Sequence, residues 1–230
     1  MTTVVGIDLG TTNTVIARDG KVLPIKQAGG EFPTLPSIVA FTPAGKQIVG
    51  RDARKRVPID PENTIASSKR IIGRDWSSSE IAEYRQRYGA VVVNDQKRGP
   101  VFKTRAGNKS PTDIASILVR EALLGAGLVP HATKAVITVP AAFDNMQRAA
   151  TEIAGRQAGL AEVALLEEPV ATALAHGASK NVRYAAVYDI GGGTFDLCVL
   201  DCQLWPIGIL AHGGDLFIGG DDFDEAIAAD

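Results

Sequence analysis

Two short segments of the sequence share one pattern: an apolar run that ends near an aspartate and leads into glycines and threonines. Residues 5–12 read Val-Gly-Ile-Asp-Leu-Gly-Thr-Thr, and residues 187–194 read Val-Tyr-Asp-Ile-Gly-Gly-Gly-Thr. They lie about 180 residues apart, too far for the period of a solenoid. A second apolar run follows each segment, so each predicts a strand, a tight turn and a returning strand. We expect two related halves that face each other, with both turns around one ligand.

The composition of these turns favours a phosphate ligand. Glycine leaves backbone N–H groups open to a close approach, and successive amides in a tight turn form a concave donor site for an anion. An aspartate beside a phosphate requires a cation between them, and Mg²⁺ binds few carboxylates while keeping several waters. Asp8, Glu168 and Asp189 are the natural carboxylates for such a site.

The alternative is a pair of ordinary hairpin turns, which the recurrence of the whole pattern disfavours. The P-loop pattern and the G-x-G-x-x-G pattern are both absent. A phosphate site in this chain would therefore have another architecture.

The rest of the chain alternates strands and helices and predicts an α/β fold. Ser110 to Asp113 reads as a capping box with proline at the first helical position, and a second helix is expected from Asp144 to Ala158. Asn63 to Ile72 is a candidate helix, and Phe223 begins another near the end. Residues 39–109 are polar and irregular and predict an inserted subdomain.

Bulk properties exclude several classes of protein. The net charge of −2 gives no basic field for nucleic acid. No apolar run is long enough for a membrane span, and the first residues lack the basic segment of a signal peptide. Cys198 and Cys202 predict reduced core thiols rather than a zinc site, which needs four grouped ligands. We expect a cytoplasmic protein that binds neither nucleic acid nor membrane.

Three motifs resemble signatures of the Hsp70 chaperone family and occur in the family's order: residues 7–13, 189–196 and 218–224. Residues 69–73, residues 139–143 and Glu168-Pro169 are also similar to family segments. The resemblance covers essentially the whole chain. It implies the actin-like ATPase (ribonuclease H-like) fold, with a first lobe up to about Val182, including 39–109 as its outer subdomain, and the start of a second lobe over 183–230.

The resemblance also implies a role for each matched residue in binding ATP or ADP with Mg²⁺. The residues that would contact the nucleotide phosphates are Gly10, Thr11, Thr12, Asn13, Gly191, Gly192, Gly193, Thr194, Gly219 and Gly220. The expected catalytic residues are Lys69, Asp196, Thr194, Thr12 and Asp8. Asp8, Glu168 and Asp189 would hold Mg²⁺ through water, and Pro140 and Arg148 would relay the nucleotide state to a partner domain.

Taken without the resemblance, several of these residues have simpler interpretations. Lys69 beside Arg70 fits a solvated basic pair, Glu168 a strand end, Asp196 a hairpin surface acid, and Arg148 a solvated helix residue. The sequence also departs from the family pattern at three places: Ala142 replaces an aromatic residue, Asp144-Asn145 reverses the usual order, and Glu167 replaces an asparagine. None of these changes removes an expected phosphate or metal residue.

The resemblance implies a stress-response chaperone whose ATPase cycle controls polypeptide binding by a C-terminal domain. Its expected partners are unfolded client polypeptides, J-domain co-chaperones and nucleotide-exchange co-chaperones. A sugar kinase and an actin-like filament ATPase of the same superfamily are the alternatives. We expect the 230-residue chain alone to bind ATP weakly or not at all, and to expose apolar surface between Ala186 and Leu210.

Overall fold

The computed structural model describes residues 3–177, 182–215 and 217–228, and this part of the chain is α/β as predicted. Its strands are β1 Thr3–Leu9, β2 Asn13–Arg18, β3 Lys21–Val22, β4 Ile25–Gln27, β5 Gly30–Phe32, β6 Leu35–Pro36, β7 Val39–Phe41, β8 Gln47–Val49, β9 Thr64–Ile65, β10 Val92–Asp95, β11 Gly99–Thr104, β12 Gly107–Lys109, β13 Thr133–Val139, β14 Glu162–Glu167, β15 Tyr184–Ile190, β16 Phe195–Asp201 and β17 Gly208–Asp215. Its α-helices are α1 Arg51–Arg54, α2 Ser79–Arg87, α3 Pro111–Gly125, α4 Asn145–Gln157, α5 Glu168–Ala175 and α6 Gly220–Ala228. No helix in these ranges is both long enough and apolar enough to cross a membrane.

The chain divides into two compact units. Unit 1 comprises residues 1–137 and 145–164, and unit 2 comprises residues 138–144 and 165–230. The expected lobe boundary after Val182 stays a prediction, and residues 178–181 beside it lie outside the described residues.

Unit 1 is built on a sheet with the strand order β14-β13-β1-β2-β3, to which β6 adds by pairing with β2. Along β1, Val5, Ile7 and Leu9 are buried while Asp8 is exposed, because successive side chains of a strand point to opposite faces. Helix α3 packs on β1 and β2 and against α4. The alternation thus puts the core on one side of β1 and Asp8 on the other.

Helix α3 begins at the predicted capping box. The Ser110 hydroxyl accepts a hydrogen bond from the Asp113 amide at 3.1 Å, and the Asp113 carboxylate accepts one from the Ser110 amide at 2.8 Å. Pro111 occupies the first helical position, where its missing N–H costs no hydrogen bond. The prediction of this helix start is confirmed.

The predicted helix over Asn63 to Ile72 is wrong. Strand β9 occupies Thr64–Ile65, and a 3₁₀ turn follows over Ser68–Ile71. Between them Ser67 has a φ of 52°, a left-handed conformation that no continuous α-helix contains. Strand β9 pairs with β7, with Thr64 opposite Ala40 and Ile65 opposite Val39.

Residues 39–109 form two small three-stranded sheets, with the orders β8-β7-β9 and β10-β11-β12, together with α1 and α2. The ring of Tyr84 on α2 is fully buried, and its hydroxyl donates to the Ala66 carbonyl at 2.5 Å. Asp60 joins two parts of the region, because its carboxylate contacts Arg56 at 3.1 Å and Arg105 at 3.0 Å. These contacts give the inserted region a core and an ionic network of its own.

Unit 2 contains the antiparallel sheet β15-β16-β17 and α5. Cys198 and Leu200 of β16 pack with Val170 of α5 and with Cys202 and Ile207 in a buried cluster. Both cysteines are free thiols, so the prediction of core thiols is confirmed.

The other face of this sheet is apolar and exposed. Tyr188 is 67 % exposed and Ile190 is 59 % exposed, and Val199 and Leu210 are exposed as well. The exposed apolar surface predicted between Ala186 and Leu210 is therefore present.

Helix α6 begins at Gly220, slightly before the predicted start. Asp230, where the helix was expected to be cut short, lies outside the described residues.

Candidate functional site

The first glycine-threonine loop joins β1 to β2 within unit 1. A side chain at Gly10 would collide with the carbonyl oxygen of Asn13, so the loop admits only glycine there. The Thr12 hydroxyl is buried and has no hydrogen-bond partner among the described residues. A buried hydroxyl without a partner is uncommon and calls for an explanation such as a ligand.

Lys69 lies beside this loop. Gly10, Thr11, Ser68, Lys69 and Thr151 line one small cavity of about 10 Å³, together with Leu9, Ser37, Ile72, Ala115 and Leu118. The neighbouring Arg70 is only 2 % exposed, so the interpretation of Lys69 and Arg70 as a solvated basic pair is wrong for Arg70. The structure therefore brings the expected catalytic lysine and the first loop together.

Ser37 was missed by sequence reasoning. It follows β6, is 3 % exposed, and makes two hydrogen bonds to the first loop: its hydroxyl donates to the Gly10 carbonyl and its amide donates to the Thr12 carbonyl, both at 2.8 Å. The one signal in the sequence is a serine directly after Leu-Pro and before an apolar run.

Gly73 is a second residue that sequence reasoning did not single out. Its φ is 68°, and an added methyl group would come within 2.6 Å of the Gln147 Cα in the first turn of α4. The segment that carries Lys69 therefore packs directly on the backbone of the helix that carries Arg148, which is half-buried.

Three carboxylates of unit 2 act on the Cys198 thiol. Asp189 and Asp196 are register partners on β15 and β16, and Val187 is the partner of Cys198 on the same face. Burial raises the pKa of the Cys198 thiol, and the charges of Asp196, Asp189 and Glu168 raise it further. Each of the three carboxylates therefore acts on the Cys198 thiol.

The second glycine loop is held by the segment that begins α6. The Gly220 amide donates to the Gly191 carbonyl at 3.0 Å, and the Asp221 amide donates to the Gly192 carbonyl at 2.6 Å. Within the loop, the Gly191 amide donates to the Thr194 carbonyl at 2.8 Å. A side chain on Gly219 would come within 2.5 Å of the Gly193 amide nitrogen.

Carbonyls of this loop thus bond to the helix start, and the two glycine motifs form one structure.

The remaining predicted residues are distributed over both units. Pro140 is buried in unit 2, where its carbonyl accepts a hydrogen bond from the Phe143 amide at 3.1 Å.

Within the described ranges, no three His, Cys, Asp or Glu side chains are grouped so that they could ligate a metal ion directly. Water-mediated binding of Mg²⁺ by Asp8, Glu168 and Asp189 stays a prediction, as does the sharing of one ligand by the two loops.

Comparison with known proteins matches residues 4–229 to the family model described as Hsp70 protein. The chain is 42% identical over 233 residues to the chaperone protein HscA homolog of Azotobacter vinelandii, and equally so to that of Pseudomonas putida. It is 41% identical over 236 residues to the chaperone protein HscA homolog of Vibrio atlanticus. Each match covers 97% of this chain and 36% of the relative, so the chain spans about a third of the length of these curated relatives.

Proposed function

The chain belongs to the Hsp70 protein family, and on that premise we propose that it is the nucleotide-binding part of a longer chaperone that binds MgATP and hydrolyses it to ADP and phosphate. The observation that carries the proposal is the first loop. Gly10 admits no side chain, the buried Thr12 hydroxyl lacks a partner within the described chain, and Lys69 lines the same cavity as Gly10 and Thr11. A phosphate oxygen would satisfy the Thr12 hydroxyl and would be attracted to the Lys69 ammonium.

The proposed chemistry is positioning and electrostatic stabilisation. Lys69 places a point charge against the γ-phosphoryl oxygens, whose negative charge is spread over three atoms in the transition state. Thr12 and Thr194 donate hydrogen bonds to that group or to the attacking water. Asp196 orients the water or accepts its proton, with Asp8 as the alternative base.

The residues of unit 2 fit a cation. Asp189 and Asp196 lie opposite each other, and both of them and Glu168 act on the same thiol, so they supply the negative charge that a water-coordinated Mg²⁺ would need. We propose that Glu168 and Asp189 hold Mg²⁺ through water. Asp8 is proposed as the third carboxylate on the basis of its sequence motif alone. When bound, Mg²⁺ neutralises charge on the phosphate oxygens.

The wider role is also a proposal. In the full-length protein, nucleotide hydrolysis would switch a C-terminal domain between weak and tight binding of unfolded polypeptides, with J-domain and nucleotide-exchange co-chaperones as partners. Pro140 and Arg148 are the proposed relay residues. A cytoplasmic location and a role in the stress response complete the proposal.

Hydrolysis of ATP by the full-length protein tests the proposal. ADP formation without added sugar is expected, and Lys69→Ala should lower kcat by about 10²- to 10³-fold. Lys103→Ala, which removes an exposed lysine of β11, is the matched control and should leave kcat unchanged. Absence of hydrolysis in the unaltered protein, or full activity in Lys69→Ala, would contradict the proposal.

A further inference from the structure

We infer that Ser37 is a positioning residue for the first phosphate loop: it holds two peptide groups of the loop so that their N–H groups face the bound phosphate. The inference rests on the proposed function and deepens it, because Ser37 itself would touch neither nucleotide nor magnesium.

The first step is the direction of the loop carbonyls. The Ser37 hydroxyl donates to the Gly10 carbonyl and the Ser37 amide donates to the Thr12 carbonyl, each at 2.8 Å. Both carbonyls therefore point towards Ser37. In a planar trans peptide group the N–H points opposite to the C=O. The amides of Thr11 and Asn13, which belong to the same two peptide groups, are thus turned away from Ser37.

The second step is the direction of the hydroxyl protons. The Thr14 and Ser37 hydroxyl oxygens lie 3.0 Å apart. A serine hydroxyl carries a single proton, and that of Ser37 is used by Gly10. Thr14 therefore donates to Ser37, which donates to Gly10. This chain of hydrogen bonds is fully buried at Thr14 and 3 % exposed at Ser37, so water does not compete for either hydroxyl.

The third step is the position of Ser37 in the chain. It follows Pro36, which has no N–H and is the register partner of Asn13. Pairing of β6 with β2 brings Ser37 to the loop, and Ser37 also lines the cavity shared by Thr11 and Lys69. Ser37 thus holds the loop through one side-chain and one backbone hydrogen bond.

The test uses the full-length protein and calorimetric titration with MgATP and with adenosine. Ser37→Ala should bind MgATP about tenfold more weakly, while adenosine, which lacks phosphates, should bind as it does to the unaltered protein. Ser37→Cys, which keeps a weaker donor at this position, should be intermediate and serves where Ser37→Ala does not fold. The control is Thr133→Val, which removes another buried hydroxyl of unit 1 that donates to a backbone carbonyl at 2.8 Å, and it should bind MgATP normally.

The outcomes separate the two claims. If the unaltered protein does not bind MgATP, the proposed function fails and this inference fails with it. If the unaltered protein binds MgATP and the Ser37 variants bind it equally well, only the role of Ser37 is overturned. Equal weakening of MgATP and adenosine, or equal weakening by Thr133→Val, would likewise overturn it, because a general loss of structure would explain both.

Discussion

Asp189 and Asp196 lie directly opposite each other on the antiparallel strands β15 and β16. Side chains in such a pair have Cβ atoms about 4.5–5.5 Å apart, and like charges at this separation destabilise the pairing. Neutralising one member of the pair removes this like-charge contact. The pair therefore yields a prediction that needs no nucleotide.

We expect Asp196→Asn to stabilise the protein when divalent cations are removed, by about 0.2–1 kcal/mol, because it removes the like-charge contact with Asp189. With Mg²⁺ added, the unaltered protein should gain more stability than the variant. Thermal unfolding in chelator and in excess Mg²⁺ measures both effects. Asp201→Asn, on the same strand but opposite Tyr184, is the control and should give no gain in chelator.

The close approach of Gly219 to Gly193 gives a second prediction. Gly219→Ala should destabilise the protein by about 1–3 kcal/mol and weaken MgATP binding, because the new methyl group overlaps the Gly193 amide. Gly213→Ala is the control, since a methyl group there meets nothing within 4 Å. Urea unfolding and calorimetry on both variants provide the measurement. Equal stability of the two variants would show that the contact between the glycine motifs is dispensable.

The strands around both loops could be predicted, because an apolar run ending in Asp and followed by Gly and Thr specifies a strand and a tight turn locally. The start of α3 was equally local, since Ser110 and Asp113 satisfy each other's amides. Ser67 could not be predicted in its left-handed conformation, because a positive φ is uncommon for serine and the sequence directly around it carries no glycine.

The parts of the candidate site that were missed depend on contacts distant in sequence. Ser37 bonds to a carbonyl 27 residues earlier, and Gly73 packs on a helix more than 70 residues later. Neither contact leaves a periodic trace in the sequence. Arg70 was misread for the same reason, because its burial is set by tertiary packing and its charge suggests a surface position.

Tyr84 provides a stability prediction in the inserted region. Tyr84→Phe should lower the free energy of unfolding by about 1–3 kcal/mol, because the Ala66 carbonyl loses its buried donor. Burial raises the pKa of Tyr84 well above its usual value of 10.0. The contribution of the protonated Tyr84 hydroxyl to the free energy of unfolding is therefore complete below pH 10 and is lost as the pH rises through the folded-state pKa. Tyr188→Phe, at an exposed ring, should change neither stability nor its alkaline pH dependence.

Asp60 gives the corresponding prediction in acid. A hydrogen bond from Asn63, together with Arg56 and Arg105, holds the pKa of Asp60 below its usual value of 3.8. The stabilisation is present above pH 3.8 and is lost as the pH falls through the lower folded-state pKa. Asp60→Asn should lower the free energy of unfolding by about 1 kcal/mol at neutral pH and should weaken its decrease at acidic pH. Urea unfolding at a series of pH values measures this pH dependence. The control is Glu162→Gln, which removes an exposed ion pair with Lys134 and should have no effect.

Gly73 and the first turn of α4 meet backbone to backbone, with no side chain between them that could change rotamer. Two surfaces in such contact cannot slide or separate slightly without losing van der Waals contact or overlapping. A rotation of α4 would thus be passed on to the turn four residues before Gly73, where Lys69 lies. Movement of the helix and movement of the lysine are therefore coupled, and this coupling depends on the absence of a side chain at position 73.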